Sequence, residues 1–88
     1  MRYSLFFQEK ALKDLKKIDK IQRIRIKEKL LLFIEDPDSF KNRVKKLKGG
    51  EYYGFERLRV GSYRVIFYRE EDKLVVVVVS IGHRKDIY

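Results

Sequence analysis

The chain has 88 residues, enough for one hydrophobic core and too few for two, so it is read as a single domain over 1–88. Apolar residues make up 44% of it, with six Tyr and six Phe, which excludes a disordered chain. Lys and Arg outnumber Asp and Glu by 22 to 13, a net charge of +9 that points to a polyanion, an anionic membrane surface or an acidic protein as partner. A lysine-rich solvated surface is the plainer alternative.

There is no cysteine and a single histidine, which argues against disulfides, thiolate metal sites and zinc. The N-terminus carries no apolar signal region, and the apolar runs at 30–34 and 74–79 are far too short to span a bilayer. A soluble, cytoplasmic protein without a metal, a cofactor or a membrane partner is expected.

Residues 3–7, aromatic and apolar without a breaker, predict a short strand. From Gln8 the period becomes helical, with Ala11, Leu12, Leu15 and Ile18 on one stripe. A break at Asp19-Lys20 precedes a second helix carrying Ile24, Leu30, Leu31, Phe33 and Ile34. That helix stops at Asp36-Pro37, because proline cannot continue it and disfavours helical geometry at the residue before. Residues 39–51 read as a basic connection closed by Gly49-Gly50. Three strands follow, one ending near Val60, one over 63–69 and one over 74–81. Gly61-Ser62 suits a two-residue hairpin turn, since glycine supplies a positive φ there. Residues 75–79 are all valine, so that strand is expected to be central and covered on both faces. The expected architecture is α+β, in the order βααβββ, with a helical hairpin packed on one face of an antiparallel sheet.

With Gly61-Ser62 as the turn, Val60 faces Tyr63, Arg59 faces Arg64, Leu58 faces Val65 and Arg57 faces Ile66. Faces alternate along a strand and are shared across it. Leu58, Val60, Tyr63, Val65 and Phe67 therefore form a core face. Arg57, Arg59 and Arg64 fall on the other with Phe55, Ile66 and Tyr68. Setting Arg59 against Arg64 costs roughly 0.2–1 kcal/mol. Cations beside aromatic rings suit phosphates and bases, and Arg57 and Arg59 are candidate RNA contacts. Pairing of these arginines with Glu51, Glu56 or Glu70 is the competing reading. His83, whose ordinary pKa of ~6.5 lies near neutrality, falls between that strand and Tyr88. It is either incidental or placed for proton transfer.

The order of elements, together with Lys46-Leu47-Lys48-Gly49, Leu58-Arg59-Val60-Gly61-Ser62-Tyr63-Arg64-Val65-Ile66-Phe67-Tyr68 and Ser80-Ile81-Gly82-His83-Arg84, resembles the RelE toxins of the RelE/ParE superfamily. The resemblance runs over nearly the whole chain. It implies a RelE-like, microbial-RNase-like fold and the toxin of a type II toxin–antitoxin system. Such a toxin cleaves mRNA in the ribosomal A site and is held inactive by a RelB-like antitoxin. The implied chemistry is metal-free: the ribose 2′-hydroxyl attacks the adjacent phosphate.

By position, the resemblance assigns Arg64 to the scissile phosphate, Arg84 to the phosphate or leaving group, Tyr88 to stacking on the substrate nucleotide, and Lys48 to RNA contact. Arg57 and Phe55 stand where some members carry lysines, one of them proposed as general base. Arginine holds its proton, so His83 becomes the candidate acid or base. A ParE-like inhibitor of DNA gyrase and a non-catalytic RNA-binding module remain the alternatives.

Overall fold

Val60 and Tyr63 pair across Gly61-Ser62, and Gly61 takes a φ of 58°. The turn therefore sets the register expected from the sequence, with Arg59 opposite Arg64, Leu58 opposite Val65 and Arg57 opposite Ile66. This hairpin organises the rest of the sheet. The computed structural model describes residues 3–83.

In chain order the elements are β1 (Ser4–Phe7), α1 (Glu9–Lys16), α2 (Lys20–Glu35), a 3-10 turn (Pro37–Phe40), β2 (Val44–Lys46), β3 (Glu56–Val60), β4 (Tyr63–Glu70) and β5 (Val75–His83). The five strands form one sheet in the order β1-β5-β4-β3-β2. β1 runs parallel to β5, and every other pair is antiparallel. The fold is α+β, as expected, with one strand more than the sequence shows: the basic connection contains β2, three residues paired to β3. No helix among the described residues is long and apolar enough to cross a membrane.

The break between the helices is built by Asp19, whose carboxylate accepts the Gln22 N–H at 2.9 Å and caps α2. At the other end Asp36 leaves helical geometry (φ −146°, ψ 77°) immediately before Pro37. The buried stripe of α2 is Ile26, Leu30, Phe33 and Ile34. Ile24 and Leu31, expected among the packed residues, are exposed, and so is Leu12 on α1.

The core lies between the helices and Leu58, Val60, Val65, Phe67, Val76, Val78 and Ile81 of the sheet. Phe33 is its centre, meeting Phe67 edge-on at 5.1 Å and Phe40 at 5.7 Å. Full burial of such a side chain contributes about 1.5–3 kcal/mol. Above it sits Arg69, 5.3 Å from the Phe33 ring, its guanidinium forked onto Glu56 at 2.9 and 2.7 Å. That hydrogen bond holds Arg69 above the usual arginine range against the opposing pull of burial.

β5 departs from expectation in three ways. It runs on to His83, so the histidine is a strand residue rather than part of a tail. A bulge also interrupts its pairing with β4: Phe67 faces Val78 but Ile66 faces Ser80, leaving Val79 as the extra residue. Val75 and Val77 are only half-buried, so one face of this valine run is partly open rather than covered.

Candidate functional site

On the face away from the helices the register arranges side chains in three rows across the strands. The first is aromatic and apolar: Phe6, Val77 and Tyr68 in sequence, with the Phe55 ring 5.5 Å from Tyr68 and Tyr52 5.8 Å beyond Phe55. The second runs Ser80, Ile66, Arg57, Lys45. The third runs Gly82, Arg64, Arg59, and continues to Arg43, whose carbonyl accepts the Arg59 N–H. Arg64 and Arg59 thus stand on adjacent strands about 4.8 Å apart, and Arg43, just before β2, follows with its guanidinium 5.9 Å from the Phe40 ring.

The middle row is not bare. Ile66 is fully buried, Ser80 is 4% exposed and Arg57 7%. The loop 47–55 reaches over this side, tied at its base by Leu47 N–H to the Phe55 carbonyl and by Gly54 N–H to the Leu47 carbonyl. Neither Arg57 nor Arg59 makes an ion pair among the described residues. Glu56, one of their possible partners, is committed to Arg69, because it lies opposite Phe67 on the helix side.

Beside Gly82 the face opens into a cleft of about 480 Å³ lined by Lys10, Asp14, Lys17, Glu51, Tyr52, Tyr63, Ser80, Ile81, Gly82 and His83. Glycine opposite Arg64 leaves room where a side chain would stand. His83 lies opposite Tyr63, their rings edge-on at 5.6 Å. It therefore shares the face of Tyr63, one residue and one face removed from the arginine row, and meets the cleft at the strand end.

α1 closes the cleft's edge. β1 pairs with β5 only as far as Val78, so the later N–H groups on that edge need another acceptor. Asp14 supplies it: its carboxylate takes the Ile81 N–H at 3.0 Å, the Lys10 ammonium at 2.9 Å and the Ser80 hydroxyl at 3.4 Å. Lys10 also donates to Ser80 Oγ at 3.0 Å. The Asp14 hydrogen bond raises the Lys10 pKa, with burial pulling the other way, so Lys10 is a fixed cation and not a base at neutral pH.

The structure thus brings Arg57, Arg59 and Arg64 together on one face and sets His83 at the adjoining cleft. Lys48 is exposed on the loop 47–55 and does not line the cleft. Arg84 and Tyr88 lie outside the described residues. Lys10, Asp14, Tyr52 and Ser80 were not singled out from the sequence. The i,i+4 spacing of Lys10 and Asp14 was legible, but their meeting with a strand almost seventy residues on was not. Among the described residues no group of three His, Cys, Asp or Glu is placed to hold a metal ion.

Fold and face together define a small, basic α+β protein presenting a cationic sheet surface beside a cleft. A family model described as the ParE toxin of the type II toxin–antitoxin system parDE matches residues 5–88. The mRNA interferase toxin RelE of Escherichia coli is 35% identical over 85 residues, 97% of this chain and 86% of that protein. A chain of the intact E. coli RelBE toxin–antitoxin complex superposes with a TM-score of 0.73 at 31% identity, over 92% of this chain and 95% of that one. A chain of the archaeal RelE–RelB complex from Pyrococcus horikoshii gives 0.78 at 24% identity, over 98% and 99%, a likeness of fold. The chain belongs to the RelE/ParE family of type II toxin–antitoxin toxins.

Proposed function

We propose that this toxin is an mRNA interferase, a ribosome-dependent endoribonuclease that cuts mRNA in the A site and stops translation. The observation that carries the reading is the arginine row ending at Arg64 and Gly82, beside a cleft that contains His83. In the reaction the ribose 2′-oxygen bonds to the adjacent phosphorus and the bond to the 5′-oxygen breaks. A cyclic phosphate and a free 5′-hydroxyl result. The 2′-hydroxyl proton passes to a base, and the departing oxygen takes one from an acid.

Arg64 meets the non-bridging oxygens, where charge develops in the transition state. Arg57 and Arg59 hold the flanking backbone, and Lys48 contacts RNA from the loop. Lys10, kept charged by Asp14, adds a fixed cation to the cleft. His83 moves the proton, while Arg84 assists at the leaving oxygen and Tyr88 stacks on the substrate nucleotide. Arg57, always protonated, holds substrate rather than acting as base.

The partner proposed to silence the toxin is a RelB-like antitoxin. Support comes from α2, whose outer side exposes Ile21, Ile24, Leu31 and Leu32, an apolar stripe of the kind that marks protein docking. Relatives of this fold occur as RelB–RelE complexes. The family model's ParE description supports a second reading, inhibition of DNA gyrase without RNA cleavage.

Primer extension on mRNA bound to ribosomes separates these. Arg64→Ala is expected to lower single-turnover cleavage by about 10²–10³, the usual cost of one transition-state donor. His83→Gln is expected to cost well over tenfold and to change the pH profile. Wild-type-like cutting by Arg64→Ala, or lost DNA supercoiling while translation continues, would defeat the nuclease reading.

A further inference from the structure

Across the arginine row from His83, a second recess of about 460 Å³ opens at the edge formed by β2 and β3. Lys29 of α2, Arg43, Lys45, Arg57, Arg59 and the turn at Gly61 line it. Five of these are cations, and no carboxylate is among the lining residues. Like charges gathered this closely repel one another, which works against the folded state unless an anion joins them. Arg57 sharpens the point. It is 7% exposed, yet its Nε is buried and has no hydrogen-bond partner among the described residues. A buried donor left unmet needs an acceptor that the described residues do not supply, a water or an anion.

We infer that this recess is a phosphodiester subsite, holding the backbone of the RNA strand at a nucleotide away from the one cut at Arg64. The inference rests on the RNA substrate proposed above. Arg43 and Arg64 stand two strand spacings apart, about 10 Å, with Arg59 between them, a span that can follow more than one phosphate of a strand. Arg43, Arg57 and Arg59 offer planar forks to phosphate oxygens, and Lys29 and Lys45 add point charges around them. The recess and the cleft then take successive parts of one strand laid along the row.

The test compares two triple variants that lose the same charge. Lys29→Gln, Arg43→Gln and Lys45→Gln strip the recess; Lys13→Gln, Lys16→Gln and Lys73→Gln strip remote surface. The probe is a short fluorescent single-stranded RNA with 2′-O-methyl sugars, which cannot be cut, titrated by anisotropy over a range of salt. The recess triple should bind roughly tenfold more weakly than the remote triple. Its salt slope should be shallower by about 0.7 for each phosphate that is no longer neutralised. Should that triple fail to fold, Lys45→Gln alone, on the exposed edge, is compared with Lys73→Gln alone, which loses the same single charge.

Equal losses in both triples would reduce the effect to net charge and overturn the subsite. Unchanged RNA affinity with lost binding of a polyglutamate peptide would assign the recess to an acidic protein segment. Unchanged oligonucleotide affinity with weaker binding to message-free ribosomes would assign it to ribosomal RNA. Either result overturns the inference. Wild-type cleavage of ribosome-bound mRNA is followed in parallel. Its absence would count against the nuclease, while the salt slopes still judge the recess.

Discussion

Asp14→Ala removes the acceptor that ties α1 to the free edge of β5. The Ile81 N–H, in a residue 3% exposed, would lose its partner at 3.0 Å, and Ser80 and Lys10 would lose theirs. A buried donor left without an acceptor costs about 1–3 kcal/mol. Lys10 is 59% exposed at its end of the pair, against 16% for Asp14, so solvent screens the pair and it adds at most about 0.5 kcal/mol. Two effects oppose these losses. Alanine is the better helix former, and an acidic residue in the last turns of a helix meets an unfavourable dipole; together they return about 0.5–1 kcal/mol.

The expected net loss is about 1.5 kcal/mol, a fall in Tm of roughly 6–12 °C for a domain this small. Asp14→Asn keeps an acceptor oxygen and should cost under about 1 kcal/mol. Urea unfolding measures both variants, and hydrogen exchange should show the Ile81 amide losing protection in Asp14→Ala. A loss below about 0.5 kcal/mol in the alanine variant, or equal losses in the two, would refute the claim that this carboxylate completes the sheet edge.

Arg59→Thr relieves the repulsion opposite Arg64 and places a β-branched residue in a strand. It should stabilise the fold by about 0.2–1 kcal/mol in urea unfolding while weakening RNA binding; a less stable variant would mean that Arg59 has a structural role. The Lys10 pKa is raised in the folded state, so its contribution to stability is complete below about 10.5 and is lost as pH rises through the higher folded value. Wild type should therefore lose its advantage over Lys10→Met above pH ~10.5, in unfolding curves taken across that range, by less than about 1 kcal/mol given the exposure of the pair.

The hairpin of β3 and β4 was legible because a glycine turn sets register, and register decides which face every later residue takes. That is why the Arg59–Arg64 juxtaposition could be read from the sequence. The two faces of α2 could not be told apart in the same way. Apolar residues stand on both, and only the sheet decides that Ile26 turns inward while Ile24 and Leu31 turn outward. β2 escaped notice because one valine followed by two lysines carries no strand period; pairing to β3 alone makes them a strand. The fate of Glu56 was hidden as well. Its position opposite Phe67 hands it to Arg69, two residues along β4, rather than to the arginine row. The edge formed by Lys10 and Asp14 depends on contacts between chain segments far apart in sequence, which no local pattern records.

The supernumerary Val79 gives β5 two independent phases. Its first half keeps step with the hydrophobic interior through Val76 and Val78, whereas its second half is reset, so that a residue without a side chain fronts Arg64. In unbroken pairing Ile81 would stand there instead, and Gly82 would move opposite Tyr63. The chemistry at that end of the strand is thereby insulated from packing demands at the other. Deleting Val79 would leave every remaining residue its present partner and face, whereas drawing Val79 into the ladder would exchange what is offered to solution for what is hidden along the second half of the strand.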